Sequence, residues 1–397
     1  MPDDPRPSPG TLTVWAGEPG RLDTNATQVP VVHSVSFGYH SLEAWLRVAT
    51  GEAPGDIYGR NTNPTVAAFE AKVRELEGAE AATSAATGMG IISSALYALL
   101  SPGDRVVSIK DSYGGTNRLF TEFLPRFGIE VALCDTTDHE AIEREVAAGC
   151  EVLYLESPTN PTLKVVDVAR LAEAGHAAGA VVIVDNTFAT PINQTPLELG
   201  AVLVVHSATK FLGGHADALG GVACGGKALV ERLFHYREIH GASLHPMAAY
   251  LLLRGMKTLH LRVARQNDTA LRIARFLEGH PAVARVHYPG LESFEGHDIA
   301  RRQMRGFGGV LAFELVEDSL EAVGRVLERL RYARLAANLG SVETVAGPPA
   351  TTSHCECTPA ERAAMGIPEG LIRYSVGVED AEDLVADLDR ALGGLGG

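Results

Sequence analysis

Five short stretches of this chain carry residue types suited to covalent and acid–base chemistry. Ser207-Ala208-Thr209-Lys210 follows an apolar, β-branched run that ends at His206. A lysine at the buried mouth of a sheet is costly to hold unless it is paired or has lost its charge. An amine tuned in that way suits Schiff-base chemistry. The hydroxyls of Ser207 and Thr209 flank it as donors to a phosphate, and Gly213 and Gly214 let backbone approach closely. Taken alone, the same lysine reads more readily as a surface loop residue. Asp185-Asn186-Thr187 follows the run 181–184. A carboxylate there is a helix cap, a metal ligand or the partner of a buried cation such as a protonated pyridine nitrogen. No second carboxylate or His stands at ligand spacing, which weakens the metal reading.

Glu156-Ser157-Pro158-Thr159-Asn160-Pro161 follows the run 152–155. Its two prolines fix the loop. Asn160 is placed either to donate to a phenolate oxygen on a bound ring or to make a plain Asn-Pro turn. Thr87-Gly88-Met89-Gly90 opens a helix, where unpaired N–H groups form an anion site that glycine lets a phosphate approach. The glycine spacing and the Lys-Ser/Thr ending of a Walker or dinucleotide fingerprint are missing. Ser112-Tyr113-Gly114-Gly115-Thr116 follows the run ending at Ile109. Tyr113 can stack on an aromatic cofactor and act as a general acid or base, or else pack in the core. Tyr58-Gly59-Arg60 offers a phenol and a guanidinium as a phosphate grip. Arg373, inside the apolar run 371–375, needs an anion: a substrate carboxylate or a structural salt-bridge partner. His354-Cys355-Glu356-Cys357 lacks a further Cys or His pair to complete four ligands, so no metal site is expected.

Four of the five stretches come directly after short runs that are apolar on both faces: 105–109, 152–155, 181–184 and 202–206. Such runs form fully buried parallel strands. Helical segments such as 168–178 lie between some of them. The pattern predicts an α/β layered domain with a mostly parallel sheet, whose ligands bind beyond the carboxyl ends of the strands. Asn63-Pro64 starts a helix, with Val66, Phe69, Val73 and Leu76 on one face, and a second helix is expected over 90–100. Residues 1–60 read as an irregular arm with one helical patch at 42–48, which packs on a neighbouring subunit in an oligomer. Residues 61–255 form the large domain. Residues 256–397 form a smaller α+β domain with helices at 259–277, 320–330 and 381–392 and a strand at 310–315.

The bulk properties exclude several functions. The 397 residues are 46% hydrophobic and 21% charged, with a formal net charge of -15. An acidic surface repels nucleic acid and anionic lipid. No apolar run approaches the roughly 18 residues of a membrane span. The first twenty residues lack the basic and apolar regions of a secretory signal, so a cytoplasmic location is expected. Five scattered cysteines argue against a disulfide framework.

Taken together, Tyr58-Gly59-Arg60 with Asn63-Pro64-Thr65, Tyr113-Gly114-Gly115-Thr116, Glu156 to Pro161, Asp185-Asn186-Thr187 and Ser207-Ala208-Thr209-Lys210-Phe211 resemble the Cys/Met-metabolism family of pyridoxal-phosphate (PLP) enzymes. Its members include cystathionine γ-synthase, cystathionine γ-lyase, methionine γ-lyase and the acyl-homoserine sulfhydrylases. The resemblance runs from about residue 10 to the end. It implies the aspartate aminotransferase-like fold type I, with a seven-stranded sheet, and a homotetramer of two tight dimers. It implies that Lys210 carries pyridoxal 5'-phosphate as an imine and shuttles protons, that Asp185 pairs with the pyridine nitrogen, and that Tyr113 stacks on the ring and protonates the leaving group. Gly88, Met89, Ser207 and Thr209 would hold the phosphate, and Tyr58 and Arg60 would reach the phosphate of a neighbouring subunit. Arg373 would bind the substrate α-carboxylate, Asn160 would sit near the phenolic oxygen, and Asn338 would face the substrate.

Many lyases and synthases of the family carry Glu-Ser-Leu-Gly where this chain has Ala337-Asn338-Leu339-Gly340. An apolar residue at 337 resembles methionine γ-lyases, and Ala-Asn-Leu-Gly resembles some sulfhydrylases. Gly115 departs from the Cys usual in methionine γ-lyases after Tyr-Gly. The expected activity is that of a carbon–sulfur lyase performing γ-elimination on a methionine- or cystathionine-like amino acid, giving a 2-oxo acid, ammonia and a thiol. γ-Replacement is the competing branch. A non-catalytic PLP-binding regulator is the alternative of another class, and a nicotinamide dehydrogenase is disfavoured by the absent dinucleotide fingerprint.

Overall fold

Strands that bury both faces need helices above and below them, and this requirement sets the layers of the molecule. The computed structural model describes residues 6–18, 25–355 and 358–395. Among these residues, seven strands form the larger sheet: β1 (Ala81–Ala85), β2 (Arg105–Ile109), β3 (Glu130–Cys134), β4 (Val152–Glu156), β5 (Val181–Asp185), β6 (Leu203–Ser207) and β7 (Gly221–Gly225). Their spatial order is β1-β7-β6-β5-β4-β2-β3. From β3 through β6 every pairing is parallel. β7 runs antiparallel to both β6 and β1, so the sheet is mixed. Sequence pattern located β2, β4, β5 and β6 and missed the other three. β1 and β7 are built largely of Ala, Ser and Gly and lack a β-branched run, and β3 is only partly buried. Along β4, Tyr154 packs with Phe120 and Ile183 on one face, while Leu153 and Leu155 pack with Val182 and Val184 on the other.

The smaller sheet contains β8 (Val283–His287), β9 (Val310–Leu315), β10 (Arg334–Leu335), β11 (Val345–Gly347) and β12 (Leu371–Ser375), in the order β10-β11-β12-β9-β8. Phe313 and Tyr374 from this sheet share one core with Ile273 and Leu277 of the helix Leu259–Glu278 and Leu388 of the helix Ala381–Leu392.

The first residues are not irregular throughout. Helix α1 (Pro9–Trp15) packs on its own chain. The ammonium of Lys72, fully buried, donates to the carbonyls of Thr13 (3.0 Å) and Val14 (2.9 Å) and pairs with Glu18 at 3.3 Å. Helix α2 (Leu42–Ala49) by contrast buries no residue and exposes Leu42, Trp45 and Leu46. Helix α3 (Pro64–Glu77) begins as its sequence demands, with the Asn63 side chain accepting from Thr65 N–H and Val66, Phe69, Val73 and Leu76 buried. Helix α4 spans Gly88–Leu99. No helix among the described residues is long and apolar enough to cross a membrane.

One contact ties the two sheets together close to Lys210. The guanidinium of Arg262, on the helix Leu259–Glu278, donates to the carbonyls of Phe211 (2.8 Å), Leu212 (3.2 Å) and Gly255 (2.9 Å). Gly214 beside it has φ +70°, and a Cβ there would lie 2.0 Å from Arg262 Nη1, so the turn after Lys210 requires glycine.

Candidate active site

The parallel register sets Glu156 beside Asp185 and Asp185 beside Val205, so the carboxyl ends of β4, β5 and β6 finish level with one another. A cavity of about 230 Å³ lies beyond these ends, between the N-terminus of α4 and β12. Gly88, Met89, Tyr113, Asn160, Asp185, Ser207, Thr209, Lys210, Asn338 and Arg373 all line it. Of the residues singled out from sequence, Tyr58 and Arg60 do not. Arg60 stacks on the Tyr58 ring, 5.8 Å from its centroid, and its guanidinium donates to the Glu238 carbonyl. Arg237 holds that turn by donating to the carbonyls of Arg60 (2.8 Å) and Asn61 (3.2 Å).

At one end of the cavity, the Thr87 hydroxyl caps α4 by accepting from Gly90 N–H at 2.9 Å. The first-turn N–H groups of such a helix attract anions. A Cβ on Gly88 would lie 2.7 Å from Cβ and 2.9 Å from Oγ of Ser207, so only glycine lets the end of β6 approach this helix terminus. Thr209 Oγ1 accepts from Gly220 N–H at 3.0 Å, which fixes the turn before Lys210.

Asp185 sits at the floor, 6% exposed. One carboxylate oxygen accepts from Thr187 N–H (3.0 Å) and the Thr187 hydroxyl (2.6 Å), and the other from the Tyr154 hydroxyl at 3.3 Å. Burial raises its pKa, and among the described residues it forms no ion pair. Neighbouring Glu156 is raised well above the carboxylate range, first by burial and then by the charge of Asp185. Asp185 accepts three hydrogen bonds, which favour its charged form, so it is the carboxyl poised to carry negative charge. Glu156 Oε2 also accepts the backbone N–H of Tyr113 at 2.8 Å. Tyr113 is 43% exposed at the cavity wall and is not a core residue.

Lys210 Nζ donates to Asn338 Oδ1 at 3.0 Å. Burial and the positive charge of Arg373 push its pKa down to about 8, which leaves the amine available as a nucleophile. Arg373 is 5% exposed. It donates to Asn160 Oδ1 (3.2 Å) and to the Asn338 carbonyl (3.0 Å), and burial pushes it down to about 10. Among the described residues no carboxylate pairs with it, so the salt-bridge reading of Arg373 falls. Arg373 thereby engages the Asn160 amide through its Oδ1.

Several contributors escaped sequence reasoning. Glu156 and Thr187 stood inside quoted motifs without a role, and their position directly after a strand was the available signal. Tyr154 and the loop residues Thr352 and Ser353, which line the cavity, gave no local signal. In His354-Cys355-Glu356-Cys357, the last two residues lie outside the described residues. His354 is buried, shares a hydrogen bond with Ser353 Oγ at 2.9 Å and is pushed down to about 4 by burial.

These features fit pyridoxal 5'-phosphate. A glycine cradle at a helix N-terminus suits its phosphate, a buried carboxylate lacking a cation suits its ring nitrogen, and a depressed lysine amine suits its aldehyde. The chain matches the family described as Cys/Met metabolism PLP-dependent enzyme over residues 10–393. It belongs to that family. The chain is 42% identical to L-methionine gamma-lyase of Fusobacterium nucleatum subsp. polymorphum, over 96% of this chain and 97% of the relative. It is 42% identical to cystathionine gamma-lyase of Bacillus subtilis (strain 168), over 96% and 98%. It is also similar to the crystal structure of cystathionine gamma synthase from Xanthomonas oryzae pv. oryzae in complex with aminoacrylate and cysteine, with TM-score 0.93, 36% identity and 98% of each chain covered. The fold is PLP fold type I, and pyridoxal 5'-phosphate is the cofactor.

Proposed function

We propose that this chain is a carbon–sulfur lyase that performs γ-elimination on a sulfur amino acid, releasing a 2-oxo acid, ammonia and a thiol. The observation that carries this reading is the Lys210 amine, held by Asn338 in one cavity with the buried Asp185 carboxylate and the unpaired Arg373 guanidinium. Gly88, Met89, Ser207 and Thr209 would hold the cofactor's phosphate, Asp185 its ring nitrogen, Tyr113 its ring face, Asn160 its phenolic oxygen and Lys210 its aldehyde carbon. When bound, the cofactor supplies an electron sink for the carbon that loses its proton.

Arg373 clamps the substrate α-carboxylate with two parallel N–H groups. Lys210 Nζ, its pKa lowered toward neutrality, takes the proton from Cα. Lys210, once it has handed that proton on, takes a second from Cβ, and the Tyr113 hydroxyl protonates the departing sulfur. Two relatives named as γ-lyases, each 42% identical, support elimination. Cystathionine gamma-synthase 1, chloroplastic, of Arabidopsis thaliana is also 42% identical, and its name supports the second reading, in which an incoming thiol is captured instead.

The reading includes a cytoplasmic homotetramer of two dimers, with an arm (1–60), a large domain (61–255) and a small domain (256–397). The exposed Leu42, Trp45 and Leu46 of α2, and a Tyr58–Arg60 turn placed off its own cavity, support an arm that serves a neighbouring subunit.

Purified protein is expected to absorb visible light. Borohydride should abolish that band, with the label mapping to Lys210. Methionine, cystathionine and an O-acylhomoserine are then incubated with and without thiol while 2-oxobutyrate is followed. A coloured protein inert toward all three would instead be a cofactor-binding regulator. Wild-type turnover by Lys210→Ala would overturn the mechanism.

A further inference from the structure

Of the five titratable side chains that line the cavity, Tyr113, Asp185, Lys210 and Arg373 serve the proposed reaction, and Glu156 has no part in it. Glu156 ends β4, 4% exposed, and the strand register sets it beside Asp185, itself 6% exposed. Among the described residues neither carboxyl stands in an ion pair. The two cations of the cavity are turned elsewhere: Lys210 donates to Asn338, and Arg373 to Asn160 and Asn338. His206, on β6 beside Asp185, faces Glu77 at 2.6 Å, and Lys164 meets a third acid, Asp111, at 3.0 Å.

Two carboxyls buried side by side without cations of their own do not both ionise, and one keeps its proton. The donors around them decide which. Asp185 accepts three hydrogen bonds, two of them from the hydroxyls of Thr187 and Tyr154. Glu156 accepts the Tyr113 N–H at 2.8 Å and is approached by the Asn160 N–H. Burial, Asp185 and Asp111 all raise its pKa. The proton therefore belongs to Glu156. The negative charge stays on Asp185, where the cofactor's ring nitrogen brings a cation to meet it.

A neutral carboxyl still presents a carbonyl oxygen, and Glu156 offers one to the main chain of Tyr113. The Tyr113 side chain is 43% exposed, so core packing does not hold it. Its main chain sets where the ring stands, through this bond and through the Tyr113 carbonyl, which accepts from Asn117 N–H at 2.8 Å. We propose that Glu156 is a positioning residue that works as an uncharged acid: it fixes the Tyr113 main chain and leaves Asp185 as the single carboxylate of the cavity. This rests on the reading that gives Tyr113 the cofactor's ring face and Asp185 its ring nitrogen.

Glutamine copies the uncharged acid, with a carbonyl for Tyr113 and an N–H donor in place of the O–H. Aspartate keeps the acid but draws it back from the Tyr113 N–H by one methylene. The experiment compares Glu156→Gln and Glu156→Asp in absorbance titrations of cofactor-free protein and in kcat of the holoenzyme. Glu156→Asp should lose tenfold or more in each, and Glu156→Gln no more than about threefold. A thermal melt supplies a readout without cofactor. An acid whose pKa is raised on folding holds a proton that the unfolded chain releases above about 4.5, so stability is lost as pH rises past that value. Glu156→Gln abolishes this loss, and its thermal midpoint should gain on the wild type by a few degrees between about pH 5 and pH 8. If aspartate serves as well as glutamine or better, or if the glutamine midpoint does not gain with pH, this inference falls. Asp185→Asn tests the reading beneath it. Cofactor affinity should drop at least tenfold, and an unchanged affinity overturns that placement of the ring whatever the Glu156 variants do. If affinity and melting behave as expected while no thioether yields 2-oxobutyrate, the lyase reading falls and this one stands.

Discussion

Arg373→Met removes a guanidinium that is 5% exposed and, among the described residues, bonded only to the neutral oxygens of Asn160 and Asn338. Burial has pushed its pKa from 12.5 to about 10. At about 1.4 kcal/mol per pH unit, holding the charge there costs the folded chain roughly 3 kcal/mol. A base with a lowered pKa carries that penalty in full at neutral pH, below both its folded and its unfolded value. Methionine abolishes the penalty and fills similar volume. The two charge-assisted hydrogen bonds it forfeits, at about 1.5–3 kcal/mol each, cancel the gain or exceed it by up to about 3 kcal/mol. The thermal midpoint should therefore move by only a few degrees. Substrate binding should suffer more. Losing a buried bidentate partner for a carboxylate costs about 3–4 kcal/mol, so kcat/KM should fall by two to three powers of ten, mostly through KM. Steady-state release of 2-oxobutyrate and a thermal melt on the same preparation measure both effects. An unchanged KM, or a protein that no longer folds, would refute this account of why an unpaired guanidinium is buried at position 373.

Two other outcomes follow from the same geometry. In cofactor-free protein the Lys210 amine titrates near 8, so the rate of cofactor uptake, followed by absorbance, should rise with pH through that value and then level off. The penalty for its charge is relieved as pH rises from about 8, because the unfolded chain still holds the proton that the folded amine has released. Lys210→Met should therefore flatten the gain in urea midpoint between neutral and alkaline pH, and an unchanged pH profile would show that the amine is not depressed. Gly88→Ala places a Cβ 2.7 Å from Ser207 Cβ, a contact that no flexible side-chain end can relieve. It should lower cofactor affinity at least tenfold in a titration of cofactor-free protein, while the thermal midpoint without cofactor falls by a few degrees at most.

Local sequence determined the pieces of this protein. Asn63 followed by Pro64 caps α3 wherever the helix goes, and the short apolar runs become β2, β4, β5 and β6 because their side chains tolerate burial on both faces. The rule that parallel strands present ligands beyond their carboxyl ends then located Asp185, Lys210 and Tyr113 without coordinates. Tertiary structure alone decided what joins across distance. Strand register sets Glu156 beside Asp185, and no pattern within either segment records which residue faces which. Asn338 accepts from Lys210, 128 residues earlier, and from Arg373, 35 residues later, because the smaller sheet closes over the larger one. β1 and β7 exist because neighbouring strands supply hydrogen-bond partners to small residues that carry no strand preference of their own. Residue type fixes what a short segment can bury or bond, whereas the identity of its partner is settled only when packing brings remote segments within a few ångströms.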